Sequence, residues 1–84
     1  MSEPGRLRER VLVAVYEKSH GKLTNTDGLV DQLGVNRVAF TAVCGELERL
    51  GLAKPRFRFD PEWRFPGLIE LTDQGLRRAE QLLR

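Results

Sequence analysis

The sequence predicts a mainly α domain with a small β-hairpin: a three-helix core, a two-stranded hairpin and a C-terminal helix in one unit of 84 residues. Three observations predict it. Up to Leu50, apolar residues recur at intervals of three and four, the period of a helix with one buried face. At "AKPRFRF" the period drops to two, as a strand requires. After "LIELT" the helical period returns and runs to the end.

The first helix is expected over residues 6–19, with Leu7, Val11, Leu12, Val15 and Tyr16 on its inward stripe and Val13 off it. "SHGKLTNT" breaks the pattern. Thr26 is placed to cap a short helix over 26–33, its hydroxyl accepting from the unpaired N–H groups of the first turn. Leu29, Val30 and Leu33 point inward from it. Gly34 suits a tight turn that needs positive φ, and Val35 fills the corner. Asn36 caps a third helix over 36–50. Its inward positions are Phe40, Val43, Cys44, Leu47 and Leu50, and Gly51 ends it.

A strand follows over 53–59, with Arg56 and Arg58 on one face and Phe57 and Phe59 on the other. Pro55 marks it as an edge strand, because proline cannot donate to a ladder. "DPEWRFPG", residues 60–67, holds two prolines and a glycine and is expected as a loop. Residues 68–71 form the second strand. Thr72 caps a last helix over 72–84, with Leu76, Ala79 and Leu83 on one stripe.

Composition sets the class. Hydrophobic residues make up 40% and charged residues 31%, values of a globular domain and not of a disordered chain. No apolar run approaches the roughly 20 residues of a membrane span. The start, "MSEPGRLRER", lacks the apolar block of a signal peptide, so a cytoplasmic protein is expected. One cysteine excludes an intrachain disulfide and a cysteine zinc cluster. The net charge is +2, unevenly spread: residues 1–23 and 53–69 each carry +2, residues 24–52 carry −2, and residues 70–84 balance.

Helix, helix, helix, strand, loop, strand, helix is the order of a winged helix, the hairpin loop being the wing. The stretches "LGVNR", "LERLGLA" and "IELTDQGLRRAEQLL" strengthen the likeness. Residues 6–84 resemble the winged helix-turn-helix family. The last stretch is similar to small bacterial regulators of the multiple-antibiotic-resistance type. The resemblance implies a small regulator that binds double-stranded DNA, with the third helix in the major groove and the hairpin on the backbone.

Carried over position by position, the groove-facing set is Asn36, Arg37, Val38, Thr41, Ala42 and Gly45. Arg37 can pair bidentately with guanine and Asn36 with adenine, while Val38, Ala42 and the Thr41 methyl can meet thymine methyls. Asn36 is equally a plain helix cap, Arg37 a solvated charge, and Thr41 a phosphate ligand. On the wing, Lys54, Arg56, Arg58 and Arg64 can meet phosphates. Phe57, Phe59, Trp63 and Phe65 lie between them, either closing the core or stacking on unpaired bases. Arg6, Arg8 and Arg10 either follow a phosphate strand or solvate the start of the first helix.

The first and last helices, with Val13, Leu82 and Leu83 as spare apolar surface, are the expected contacts of a homodimer. Catalysis is not expected. His20 is the only histidine, its neighbour Ser19 does not make a catalytic pair, and no glycine-rich phosphate loop is present. No metal ligand set and no cofactor site are expected. A rival reading makes the chain a protein-binding winged helix, an adaptor or assembly factor. It rests on the slightly acidic helix-turn-helix, the apolar Val38/Ala42/Gly45 face and the Trp63–Arg64 wing. Gly45 inside a helix costs about 1 kcal/mol relative to alanine, which suggests close approach by another backbone or a partner helix.

Overall fold

A computed structural model describes residues 7–58 and 65–84. The order is α1 (Leu7–Ser19), β1 (Thr24–Asn25), α2 (Thr26–Leu33), α3 (Arg37–Arg49), β2 (Ala53–Arg58), β3 (Phe65–Leu71) and α4 (Asp73–Leu82). The three strands form one antiparallel sheet in the order β1-β3-β2. Three core helices, a wing hairpin and a closing helix make this a winged helix, the fold class expected from the sequence.

One core holds it together. Val11, Leu12 and Val15 from α1, Leu29 from α2, Phe40, Cys44 and Leu47 from α3, Ile69 from β3 and Ala79 from α4 are all buried to within 1%. Burying a side chain of this size contributes roughly 1.5–3 kcal/mol. The spacing of Phe40, Cys44 and Leu47 keeps one stripe of α3 on this core. Leu50, expected inward, is half-exposed because α3 ends at Arg49 and the chain turns away there. Gly51, at φ 74°, makes that turn.

The turn between α2 and α3 is built from backbone geometry. Gly34 closes α2 in the left-handed region, at φ 67°, and its N–H donates to the Val30 and Asp31 carbonyls. Arg10 reaches across from α1, and its guanidinium donates to the Leu33 carbonyl at 3.0 Å. Arg8 pairs with Glu46 of α3 at 2.5 Å. The two α1 arginines therefore brace the other helices, a role that the sequence did not suggest.

Three local expectations need correction. Thr26 does not cap α2. Asn25 does, its side-chain oxygen accepting from the Asp27 N–H at 2.8 Å. Thr26 is fully buried and its hydroxyl donates to the Pro66 carbonyl. The segment before it is not all loop, because Thr24 and Asn25 pair with Ile69 and Leu68. The second wing strand begins at Phe65 and not at residue 68, and it contains Pro66. A bulge accommodates the proline: Arg56 pairs with Leu68, but Phe57 pairs with Pro66, so Gly67 is left without an opposite number. Residues 59–64, which include Phe59, Trp63 and Arg64 and most of the expected 60–67 loop, lie outside the described residues, as does Arg6.

The closing helix meets the turn after α3 at very short range. The Thr72 hydroxyl accepts from the Gly75 N–H at 3.0 Å and donates to the Gly51 carbonyl at 2.6 Å. The Thr72 N–H donates to the Leu52 carbonyl at 3.1 Å. A Cβ on Gly75 would stand 1.9 Å from that carbonyl oxygen. Gly75→Ala must push α4 off the turn, and we expect a loss of about 3 kcal/mol in urea denaturation, the upper range for overpacking a close contact. An unchanged midpoint would show that α4 is free to move there.

Candidate nucleic-acid interface

The outward face of α3 follows from its inward one. With Phe40, Cys44 and Leu47 on the core, Val38, Ala42, Gly45 and Arg49 share the opposite stripe at helical spacing. Val38 is 66% exposed, a large value for an apolar side chain. Arg37 and Ala42 are also exposed, and Thr41 is half-buried. Arg49 was missed by the sequence reading, although its spacing from Gly45 was the signal that could have found it.

Local hydrogen bonds occupy polar groups of two of the expected DNA-contacting residues. The Asn36 side-chain oxygen accepts from the Ala39 N–H at 2.7 Å and so caps α3. A bidentate pair with adenine needs that same oxygen side, so Asn36 would have to release the cap to make it. The Thr41 hydroxyl donates to the Arg37 carbonyl at 2.7 Å. Its single proton is then committed, which leaves its methyl for a thymine but no donor for a phosphate. Arg37 stands in the first turn of α3, 3.4 Å from Asp27 of α2.

Gly45 has room around it. A Cβ there would meet only the Arg49 guanidinium, at an ordinary 3.6 Å. The fold of the single chain therefore does not require glycine at this position, in contrast to Gly75.

On the wing, burial alternates along β2. Ala53 and Pro55 face in, whereas Lys54 and Arg56 face out. Arg56 pairs across the hairpin with Glu70 at 3.3 Å. Arg58 lies on β2 and Phe57 and Phe65 on the paired strands, with side chains outside the described residues, and Arg64 lies wholly outside them.

The groups that would suggest chemistry elsewhere have structural tasks. Ser19 Oγ bonds Thr24 Oγ1 at 2.5 Å and the Lys22 carbonyl at 2.8 Å, tying the exit of α1 to β1. His20 occupies the left-handed region at φ 56° and packs edge-on against Tyr16. Cys44 is buried in the core, and burial pushes its thiol up to about 12, so it remains protonated near neutral pH. Among the described residues no group of acidic, histidine or cysteine side chains could hold a metal ion. No helix among them is long and apolar enough to cross a membrane. A shallow cleft of about 400 Å³ lies between α1 and α4, lined by Tyr16, His20, Asp73, Leu76, Arg77 and Glu80.

Comparison with known proteins agrees with the fold. A disulfide-formed structure of AbfR is 20% identical over 90% of this chain, with a TM-score of 0.69. The PcaV transcriptional regulator from Streptomyces coelicolor is 25% identical over 96% of the chain, with a TM-score of 0.66. The same regulator in complex with its natural ligand gives 0.65. The chain spans about half of these structures, 49%, 57% and 55% of their respective lengths. No family model and no curated protein sequence matches it.

Because a Cβ at Gly45 would meet only the Arg49 guanidinium among the described residues, at an ordinary contact distance, alanine there keeps the fold and removes the entropic cost of glycine. Gly45→Ala is expected to raise the unfolding free energy by about 1 kcal/mol in urea titration. A loss of stability would mean that α3 is packed more tightly than its surface indicates.

Proposed function

We propose that this chain binds double-stranded DNA sequence-specifically and acts as a small transcriptional regulator. The observation that carries the proposal is the backbone likeness of nearly the whole chain, 96%, to a transcriptional regulator. The exposed first half of α3 supports it. In this reading α3 enters the major groove. Arg37 pairs with a guanine edge, and Val38, Ala42 and the Thr41 methyl lie against thymine methyls. Asn36 holds the helix start, with its amide nitrogen toward the bases. Arg56, Arg58 and Arg64, with Lys54, anchor the wing on phosphates.

Gly45 has a place in this reading. A helix without a side chain there can sit deeper against a groove wall. The apolar remnants of α1 and α4 belong to the proposal as well. Leu83 is 45% exposed, and Val13 and Leu82 are half-buried, so two copies can meet along these helices. Such a dimer would set two α3 helices on half-sites about 34 Å apart. Sedimentation that finds only monomer at micromolar concentration would remove the dimer. We place the protein in the cytoplasm, where its DNA is.

The same exposed Val38, beside Ala42 and the open Gly45, favours one rival, a protein-binding winged helix. Fluorescence anisotropy with a labelled mixed-sequence duplex separates the two. With several phosphate contacts, binding is expected at about 50 mM salt and is expected to weaken steeply by about 200 mM. Arg37→Ala should then cost about 1–3 kcal/mol on a selected site, the worth of one bidentate base contact. No binding at the lower salt would shift the assignment to a protein partner docking on Val38.

A further inference from the structure

We propose that Arg49 is a phosphate-binding residue, reaching the DNA backbone from its place over Gly45, an inference that rests on the duplex-DNA reading above. Arg49 ends α3 and stands one turn beyond Gly45 on the outer stripe. Side chains on a helix lean back toward its N-terminus, so a residue four places on covers the earlier one. The structure has this arrangement: a Cβ on Gly45 would stand 3.6 Å from Arg49 Nη1 and would meet no other described side chain within 4 Å. The guanidinium therefore lies along α3, nearer the start of the helix than its own Cα. Arg49 is exposed and makes no hydrogen bond or ion pair with any described residue. The carboxylate three residues before it, Glu46, is engaged instead by Arg8 of α1 at 2.5 Å. Glu48 is its immediate neighbour in sequence and so points to another side of the helix.

A basic residue in the last turn of a helix commonly serves the helix itself, by facing the unpaired carbonyls at its end. The position of this guanidinium speaks against that use. Those carbonyls belong to residues 46–49, and the group lies back over Gly45. An outside anion is the better partner, and the distance along the helix selects which one. At 1.5 Å per residue, Gly45 lies about 10 Å along the axis from Val38. The major groove is about 12 Å wide, so with Val38 at the base edges a group at the level of Gly45 stands against the phosphate wall. The outer stripe before it, Val38, Ala42 and Gly45, holds no acid to repel a phosphate. A guanidinium presents parallel N–H donors that match two phosphate oxygens. Arg49 thus adds affinity without sequence preference, at the opposite end of α3 from the residues proposed to read bases.

The test uses the full chain and two duplexes, one selected by it from a random pool and one of mixed sequence, titrated across salt. Arg49→Gln is expected to weaken both by the same factor, about fivefold at low salt, the upper range of one exposed charge pair. The slope of log affinity against log salt should become shallower by about 0.9, the share of one phosphate. Arg49→Lys, which keeps the charge, should keep the slope. Arg77→Gln removes the same charge from α4 and should leave the slope unchanged, which separates a contact from a general loss of positive charge. Neutral methylphosphonates placed singly along the selected duplex then locate the contact. One position should weaken the unmodified chain and leave Arg49→Gln indifferent. An unchanged slope in Arg49→Gln, or a loss confined to one base pair, would overturn the phosphate role while leaving DNA binding intact. Absence of duplex binding by the unmodified chain would overturn both.

Discussion

The approach of α4 to the Leu52 carbonyl is the contact on which the rest of the structure depends. That oxygen accepts the Thr72 N–H, and Gly75 passes it with no space for a Cβ. The Leu52 N–H donates back to Leu47 of α3 at 2.9 Å. The exit of α3, the start of β2 and the start of α4 are thereby tied at one point. Once α3 is held there, its periodicity decides everything about its two faces. Phe40, Cys44 and Leu47 close the core, and Val38, Ala42, Gly45 and Arg49 are left outside. The face offered to a partner is thus determined by a glycine and a threonine on a different helix.

The charge pattern of the chain has a different meaning in three dimensions. Residues 24–52 carry −2, a poor sign for a segment proposed to lie beside phosphates. Yet Glu46 pairs with Arg8 of α1, and Asp27 with Arg37. Arg78 of α4 pairs with Glu9 at 3.1 Å. Exposed pairs of this kind contribute about 0–1 kcal/mol each, so they matter little to stability. Their effect is on the field around the molecule. Within the segment Asp27 is offset by Arg37, Glu46 is offset by Arg8 from outside it, and the outer stripe of α3 ends in Arg49.

The helices were legible because their apolar spacing is regular and their caps are conventional. Asn36 and Thr72 cap α3 and α4 where the sequence placed them, and Gly34 takes the left-handed turn expected of it. The failures have a common cause: they depend on partners far away in the chain. Thr26 looked like a cap because a threonine before an apolar run usually is one. Its actual partner, the Pro66 carbonyl, lies 40 residues away. β1 is two residues long and exists only because β3 lies beside it. Arg8 and Arg10 looked like solvent-facing charges because Glu46 and the Leu33 carbonyl are distant in sequence. At the candidate interface, the spacing of Val38, Ala42 and Gly45 and the Asn36 cap were readable, but the hydrogen bond that occupies the Thr41 hydroxyl was not.

The borders of the small sheet carry a last consequence. Strand order leaves β1 on one side and β2 on the other. β1 offers only two residues, too few to template an incoming strand. β2 carries Pro55 in its middle, where one N–H is missing, flanked by the cations Lys54 and Arg56. Both borders are therefore poor sites for strand addition. A chain of this size is protected in this way from sheet-to-sheet aggregation. Among the described residues, self-association is left with the helical surfaces, where Leu83 and Val38 are exposed.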